Sequence, residues 1–390
     1  MYNPLRFDTH QLKIGTYLSD TTLILLSAGN SSRFKSPTKK QWLYTGDNPL
    51  WLSVTKRFEK SYNFNKIIIV SSAIEIEYMR NFAQYCYVVG GENRQESLKN
   101  ALKIVDTKFV LVSDIARCCV PKKMIKNILK HKNKASCIVP TLDINDTLYY
   151  DNSPIDREKT KIIQTPQLSR TKLLKKALKS DTIFTDDSSA IASLGKKVYF
   201  IKGSPKAHKL TRTEDIKKLS CLKKTPNKNL VGFGIDIHKF EDNKKMFLCG
   251  VEIDSDFGFK AHSDGDVAIH SIIDALLGAS GMGDIGDLYP DNDEQYSNID
   301  SKILLKDTID RVKSFGFIIS NIDITILAET PKISPYKAKM KNKLSKILEI
   351  QPNLINIKAS TSEKMGFVGK KEGVTVYSVA NLTYLRWETL

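Results

Sequence analysis

Short apolar runs alternate with amphipathic stretches through the first 140 residues, and that alternation restricts the fold more than any other feature of the chain. Residues 22–28 read Thr-Leu-Ile-Leu-Leu-Ser-Ala, a run suited to a strand buried on both faces. Comparable runs occur at 66–71, 109–113 and 136–140, with helical patterns at 95–104 and 122–129. Strands alternating with helices predict a parallel sheet covered on both faces, because a parallel partner needs a crossover long enough for a helix. Ligands of such sheets bind beyond the carboxyl ends of the strands. Two of those ends carry chemistry here. One is the small-residue loop 27–33, ending in Arg33 and followed by Lys39-Lys40-Gln41; the other is Ser113-Asp114-Ile115-Ala116-Arg117. Backbone N–H groups of a small-residue loop can approach phosphates, and nearby cations neutralise them.

A second constellation lies at 261–270, Ala-His-Ser-Asp-Gly-Asp-Val-Ala-Ile-His, which holds two of the six histidines. The apolar segment 272–277 follows, so the stretch reads as a loop opening a buried helix, with Ser263 or Asp264 as its cap. Asp266, His270 and Asp274 then recur four apart on one helical face. Upstream, Asp236-Ile237-His238 follows the strand-like run 230–235, and residues two apart on an extended chain point the same way. Asp236, His238 and His270 thus make a two-histidine, one-carboxylate set that zinc accepts, with a fourth position open to substrate. A core histidine and a chance Asp-x-His pair would account for the same spacing.

At 390 residues the chain is long enough for two domains, and 41% hydrophobic with 9% aromatic residues makes it globular. No apolar run reaches the roughly 18 residues of a membrane span, and residues 1–11 lack a signal-peptide core. Cys86, Cys118, Cys119, Cys137, Cys221 and Cys249 show no C-x-x-C spacing, which predicts free thiols in a reducing cytoplasm. The net charge of +17 is uneven: residues 1–228 hold 41 Lys+Arg against 20 Asp+Glu, and residues 229–390 hold 19 against 23. The basic part suits polyphosphate substrates or is solvated surface. Aromatics do not interleave the lysines as single-strand binders need, so no nucleic-acid partner is expected, and no membrane partner either.

Motifs then follow one another in order: Ser27-Ala28-Gly29-x-x-x-Arg33, Lys40-Gln41, Gly90-Gly91-x-x-Arg94-x-x-Ser97, Asp114-x-Ala116-Arg117, Asp146-Thr147, Asp156-Arg157, Gln164-Thr165-Pro166-Gln167, Thr185-Asp186-Asp187 and Lys209-Leu210-Thr211. Together they resemble the 2-C-methyl-D-erythritol 4-phosphate cytidylyltransferase family across residues 20–218. The resemblance implies that CTP and methylerythritol phosphate give a CDP-alcohol and pyrophosphate, with Mg²⁺. It implies that Arg33 and Lys40 stabilise charge on the triphosphate, that Asp114 helps hold the metal, and that Arg157 and Lys209 position the substrate phosphate. Ala28, Gly29, Gly91, Ser97, Arg117, Thr147, Thr165 and Thr185 match substrate contacts. Such a division suits phosphoryl-type transfer, which is mostly positioning and charge neutralisation. Ser113 and Cys118 stand where the family usually has His and Pro. Asn30-Ser31-Ser32 replaces its glycine-rich loop, which lowers backbone freedom there.

Residues 221–229 are polar after Leu222 and read as a linker, across which the charge balance changes sign. Beyond it, residues 230–385 resemble 2-C-methyl-D-erythritol 2,4-cyclodiphosphate synthase. The residues that carry this are Gly-Phe-Gly-x-Asp236-x-His238, Ala-His262-Ser263-Asp264-Gly-Asp266-x-x-x-His270, Gly-Asp284-Ile285-Gly286, Tyr-Pro-Asp291, Thr330-Pro331-Lys332 and Thr361-x-Glu363-Lys364-x-Gly366-Phe367. The implied chemistry is attack of the 2-phosphate of CDP-methylerythritol phosphate on the β-phosphorus, with CMP leaving. In the resemblance Asp236, His238 and His270 hold zinc or a similar divalent ion, and Glu363 holds Mg²⁺. His262 and Thr361 match positions that stabilise the transition state. Asp284, Gly286 and Asp291 match polyol contacts, and residues 328–334 match the cytosine pocket. Ser263, Ile285, Lys332, Ser360, Ser362, Phe367 and Lys370 carry over as further substrate contacts. Lys370 stands where the family often has Arg and cannot offer the bidentate fork; Glu329 and Ile333 also depart from common pocket residues.

The expected protein is a cytoplasmic bifunctional enzyme of the methylerythritol phosphate pathway. Its fold class is α/β: a doubly wound, Rossmann-like cytidylyltransferase domain at 1–220, a linker at 221–229, and a smaller α/β cyclodiphosphate synthase domain at 230–390. The second domain is expected to trimerise, with a hexamer as the larger alternative. No Gly-rich ATP loop is present for the kinase step between the two reactions, so a separate kinase is a candidate partner. The linker and the charge break predict that the two halves fold and work independently. A generic sugar nucleotidyltransferase, or a basic nucleic-acid-binding protein with a structural metal, would fit less of the motif set.

Overall fold

The apolar runs become strands of two separate sheets in a computed structural model that describes residues 19–261, 263–290, 293 and 299–390. One compact unit takes in residues 19–29, 51–209 and 218–220; the other takes in Asn30–Leu50, Leu210–Lys217 and Cys221–Leu390.

The sheet of the first unit has eight strands: β1 (Thr21–Leu26), β2 (Lys66–Ser71), β3 (Cys86–Val89), β4 (Phe109–Asp114), β5 (Cys137–Leu142), β6 (Ile162–Ile163), β7 (Gln167–Arg170) and β8 (Val198–Lys202). Their spatial order is β6-β5-β7-β4-β1-β2-β3, with β8 beside β5. Along β1, β2 and β4 both side-chain parities are buried. Ile24, Ile68, Val70, Val110 and Val112 share one core cluster with Leu98, Leu174 and Ile191, while Leu23, Leu25, Ile69 and Leu111 are equally inaccessible. Both faces of the sheet are therefore covered, as continuous apolar runs require. The four strands β3-β2-β1-β4 are parallel, and a helix lies between β1 and β2, between β2 and β3, and between β3 and β4. The expectation of a parallel sheet needs one correction: β7 runs antiparallel to both β4 and β5, and β6 is antiparallel to β5. Between β5 and β7 the chain makes only short strands and a three-residue 3₁₀ turn, too little for a crossover helix, so it returns antiparallel.

The sheet of the second unit has five strands: β9 (Leu230–Asp242), β10 (Phe257–Phe259), β11 (Phe317–Leu327), β12 (Ile355–Ser360) and β13 (Gly373–Tyr384), in the order β10-β9-β13-β11-β12. Only β11 and β12 are parallel. Its helices include α1 (Val267–Ser280), α2 (Ser301–Ser314) and α3 (Lys337–Leu348). The alternation of β9 decides where the site falls. Gly232 and Gly234 face α1 so closely that a Cβ on either would lie 2.0 Å from a carbonyl oxygen of that helix, Ala275 or Ser271. Asp236 and His238 continue the same parity and so point the same way as the glycines. The opposite parity, Val231, Phe233, Ile235 and Ile237, is 45–64% exposed.

Cys86, Cys118, Cys137 and Cys249 are free; Cys119 and Cys221 are not, against the expectation of six free thiols, because cysteine spacing alone does not report a side chain's partner. Among the described residues no helix is long and apolar enough to cross a membrane.

Candidate functional site

In the second unit the metal set is assembled from β9 and α1. Asp236, His238 and His270 offer ligand atoms that all lie within 4.8 Å of one another. Oδ2 of Asp236 is 3.1 Å from Nε2 of His238 and 3.2 Å from Nδ1 of His270. The remaining ring nitrogens are held from behind. Nδ1 of His238 lies 3.1 Å from the carbonyl of Gly265, and Nε2 of His270 lies 2.9 Å from Oγ of Ser301. Ser301 Oγ in turn donates to Oδ1 of Asp264. A carbonyl can only accept, so His238 Nδ1 carries the proton and Nε2 keeps its lone pair. The Ser301 hydroxyl, already donating to Asp264, accepts from His270 Nε2 and leaves Nδ1 bare. The three inward atoms are thus the correct tautomers for a metal, and the donor chemistry fits zinc. Burial opposes charge on Asp236, but the two imidazoles, when they are protonated and donate to it, outweigh burial and hold the carboxyl well below the usual range.

The helix start differs in one detail from the sequence reading. Asp266, rather than Ser263 or Asp264, is the cap: its Oδ1 accepts from Ile269 N at 3.0 Å. The same carboxylate, fully buried, also takes the N–H groups of Cys249 and Gly250. Asp266 therefore precedes the helix, and only His270 and Asp274 share its face. Ser263 Oγ accepts from Gly265 N and lies 3.4 Å from His270 Nε2. Asp284 caps the short helix Ile285–Leu288, Ile285 N donates to Asp274, and Gly286 sits against the Asp284 carboxylate. His262 and Asp291 lie outside the described residues.

Beyond β12 the loop 361–366 is exposed, with Glu363, Lys364 and Gly366 in the left-handed region. Thr361 Oγ1 donates to Glu363 Oε1 at 2.8 Å. Ser360 and Ser362 flank it, and Phe367 and Lys370 follow on the short helix Gly366–Gly369 and its cap; Lys332 is exposed. The sequence reading saw Glu329 only as a departure. Its Oε1 accepts from Ser362 N, Ser362 Oγ and Lys364 N at 3.0–3.1 Å, so it fastens this loop. A lone acidic residue at the end of a strand gives no sequence signal of that role.

In the first unit the register pairs Asp114, the last residue of β4, with Leu26, the last of β1, next to the Ala28-Gly29 turn. The Asp114 carboxylate meets Lys209 Nζ at 2.7 Å and Arg94 Nε at 3.4 Å. Burial works against its ionisation, yet Arg94, Lys209 and Arg117 win and pull its pKa to about 2. Arg94 was quoted in a motif without a role; it also holds the fully buried Asp187 at 2.9 Å. Arg117 donates to the carbonyls of Ala207 and Ile163, which locks the 164–209 segments around the strand end. Gly91 N donates to Ser97 Oγ, fixing the turn that opens the helix Arg94–Leu102. Thr165 is buried, whereas Thr147 and Thr185 are exposed on loops. Arg157 lines an open pocket with Asp143, Asn145 and Glu158 and donates to the Asn145 carbonyl.

Arg33 and Lys40 belong to the segment 30–50, in the second unit. Arg33 lies in the 3₁₀ turn Ser32–Phe34, entered through Ser31 at φ 57°. A serine thus adopts the conformation that a glycine would give at little cost, and its Oγ accepts from Lys40 N at 3.2 Å.

A family model for 2-C-methyl-D-erythritol 4-phosphate cytidylyltransferase matches residues 21–222, and the YgbB family model matches residues 230–383. The chain is of the class that joins a nucleotidyltransferase to a second enzyme of phosphate chemistry in one polypeptide. The bifunctional enzyme IspD/IspF of Sulfurovum sp. (strain NBC37-1) is 61% identical over 371 residues, covering 95% of this chain and 100% of that protein. The one from Sulfurimonas denitrificans is 54% identical, covering 96% and 97%. The structure of the bifunctional IspDF from Campylobacter jejuni matches with a TM-score of 0.89 at 47% identity, over 95% of this chain and 100% of that one. The chain belongs to the bifunctional IspD/IspF family. It is a cytidylyltransferase and a cyclodiphosphate synthase of the methylerythritol phosphate route to isoprenoid precursors.

Proposed function

We propose that the cyclisation site is built on Asp236, His238 and His270, which would hold a zinc ion, and that cytidylyl transfer is served by the cations grouped around Asp114. The observation that carries the first half is the convergence of three donor atoms whose tautomers are fixed by Gly265 and Ser301. Zinc bound there would supply Lewis acidity toward phosphate oxygens. The protein's own part is to keep Asp236 ionised and to present bare imidazole nitrogens, and we assign Thr361 and His262 to the charge that develops. Thr361 is linked to Glu363, the carboxylate we assign to Mg²⁺. We assign Ser263, Asp284, Ile285, Gly286 and Asp291 to the polyol, and Lys332, Ser360, Ser362, Phe367 and Lys370 to the nucleotide side.

For cytidylyl transfer we assign Asp114 to Mg²⁺ because Arg94 and Lys209 keep it ionised in a buried setting. Lys209 and Arg157 position the methylerythritol phosphate, Arg33 and Lys40 meet the triphosphate, and Ala28, Gly29, Gly91, Ser97, Arg117, Thr147, Thr165 and Thr185 surround the nucleotide. In-line transfer between bound reactants needs this placement more than it needs a base.

The assembly we propose is a homotrimer through the second domain. The apolar row Val231, Phe233, Ile235 and Ile237 is exposed in one chain, with Tyr377 stacked on Phe233, and a contiguous apolar strip of this kind marks an interface. The intermediate kinase is a separate cytoplasmic protein. Elemental analysis and paired assays test the reading. One zinc per chain is expected, and His270→Ala should lose both zinc and cyclase turnover while CTP-dependent pyrophosphate release continues. An active wild-type protein devoid of zinc overturns it.

A further inference from the structure

Residues 38–45 lie in the cytidylyltransferase match, yet several of their packing partners within the second unit come from residues 313–387. α2 ends at Ser314, and its last turn closes with Gly316 N on the Lys313 carbonyl at 3.1 Å. Thr38 Oγ1 donates to the Lys313 carbonyl at 2.7 Å, and Lys39 N donates to that of Ser314 at 3.0 Å. The indole of Trp42, fully buried, lies 4.6 Å from the ring of Phe315. Gly316 follows at φ +93°, and a Cβ there would stand 2.5 Å from the Trp42 carbonyl oxygen. Tyr44 stacks on Tyr384 at 3.9 Å, and its carbonyl accepts from Trp387 Nε1 at 2.7 Å. Lys40 sits between these anchors, one residue after Lys39 and two before Trp42.

We propose that Phe315, Gly316 and Trp387, residues of the cyclodiphosphate synthase part, are positioning residues for cytidylyl transfer, because they fix the backbone that carries Lys40. The inference rests on reading Lys40 as a cation used in that reaction. A preorganised charge acts through its placement, and a displacement of about 1 Å can cost 10²-fold in rate. The seat that determines Lys40 is contributed by a domain with its own chemistry. This reverses the expectation that the halves work independently.

The test uses the full-length chain. Four proteins are compared with wild type in both assays at saturating substrate: Lys40→Ala, Phe315→Ala, Phe315→Leu, and the conservative double variant Thr38→Val with Trp387→Phe. Phe315→Ala and the double variant should lower cytidylyl-transfer kcat about 10- to 100-fold, with KM for CTP and cyclase kcat changed less than about twofold. Phe315→Leu should restore most of the rate. If Lys40→Ala is slow but the double variant and Phe315→Ala keep full kcat, the positioning role is wrong and the Lys40 reading stands. If Lys40→Ala itself keeps full kcat, the Lys40 reading fails and takes the inference with it. Should Phe315→Ala not fold, as cyclase activity and melting would show, the double variant decides alone.

Discussion

The hydroxyl of Ser301, the first residue of α2, lies 2.9 Å from Nε2 of His270 and donates its own hydrogen bond to Asp264. This small relay makes His270 a ligand of defined tautomer. Outer partners of this kind typically change metal affinity about 10- to 100-fold. Ser301→Ala should therefore bind zinc more weakly by that factor and lose cyclase activity under mild chelation, with recovery at excess zinc. Competition titration against a chromogenic chelator reads the affinity directly; an unchanged value would remove the relay from the argument.

Gly234 is the point of closest approach between β9 and α1, where a Cβ would meet the Ser271 carbonyl at 2.0 Å. Backbone cannot rotate out of the way as a side-chain end can. Gly234→Ala should destabilise the second unit by about 1–3 kcal/mol or more, as overpacking does. It should also lower zinc occupancy, since His270 and Asp236 are then held apart. Thermal melts with metal analysis check both, and retention of wild-type stability and zinc would show that α1 adjusts freely.

Asp114 gives a pH signature. Its folded pKa of about 2 lies below the ordinary value of 3.8, so its ionisation contributes stability that is present above about pH 4 and is lost as pH falls toward 2. A depression of that size corresponds to about 2 kcal/mol. In chelator, the stability gap between wild type and Asp114→Asn should stay level above pH 4 and narrow below it. Urea unfolding at stepped pH measures the gap; one that widens on acidification would contradict the pairing with Arg94 and Lys209.

Glu329 accepts three hydrogen bonds from the loop that bears Thr361 and Glu363. Glu329→Ala should lower cyclase kcat about tenfold through misplacement of that loop, with zinc content unchanged. Hydrogen exchange at residues 361–366 should rise in the same variant. Slow cyclisation without faster exchange would point to a direct role for Glu329 instead.

Much of this was legible along the chain. Apolar runs and helical periods marked the strands at 66–71 and 109–113 and the helices at 95–104 and 122–129, because such signals are local. Asp236 and His238 could be paired from strand parity alone, and the spacing to His270 sufficed for a zinc proposal. The antiparallel return of β7 was missed because it depends on what the chain fails to form between β5 and β7. The capping role passed to Asp266 because its carboxylate also collects N–H groups from Cys249 and Gly250, a demand that arises only when those two residues pack there.

The sequence by itself determined which groups the protein brings to its chemistry, since side-chain type and short-range spacing set donors, charges and element periods. The tertiary structure alone decided what holds them. Arg94 between Asp114 and Asp187, Ser301 behind His270, Glu329 beneath the 361–366 loop, and Phe315 against Trp42 join residues from 20 to 273 positions apart, and no local period or propensity encodes such a meeting. Each is fixed by packing, where an orphan carbonyl, a buried charge or a bare face accepts whichever partner the fold delivers.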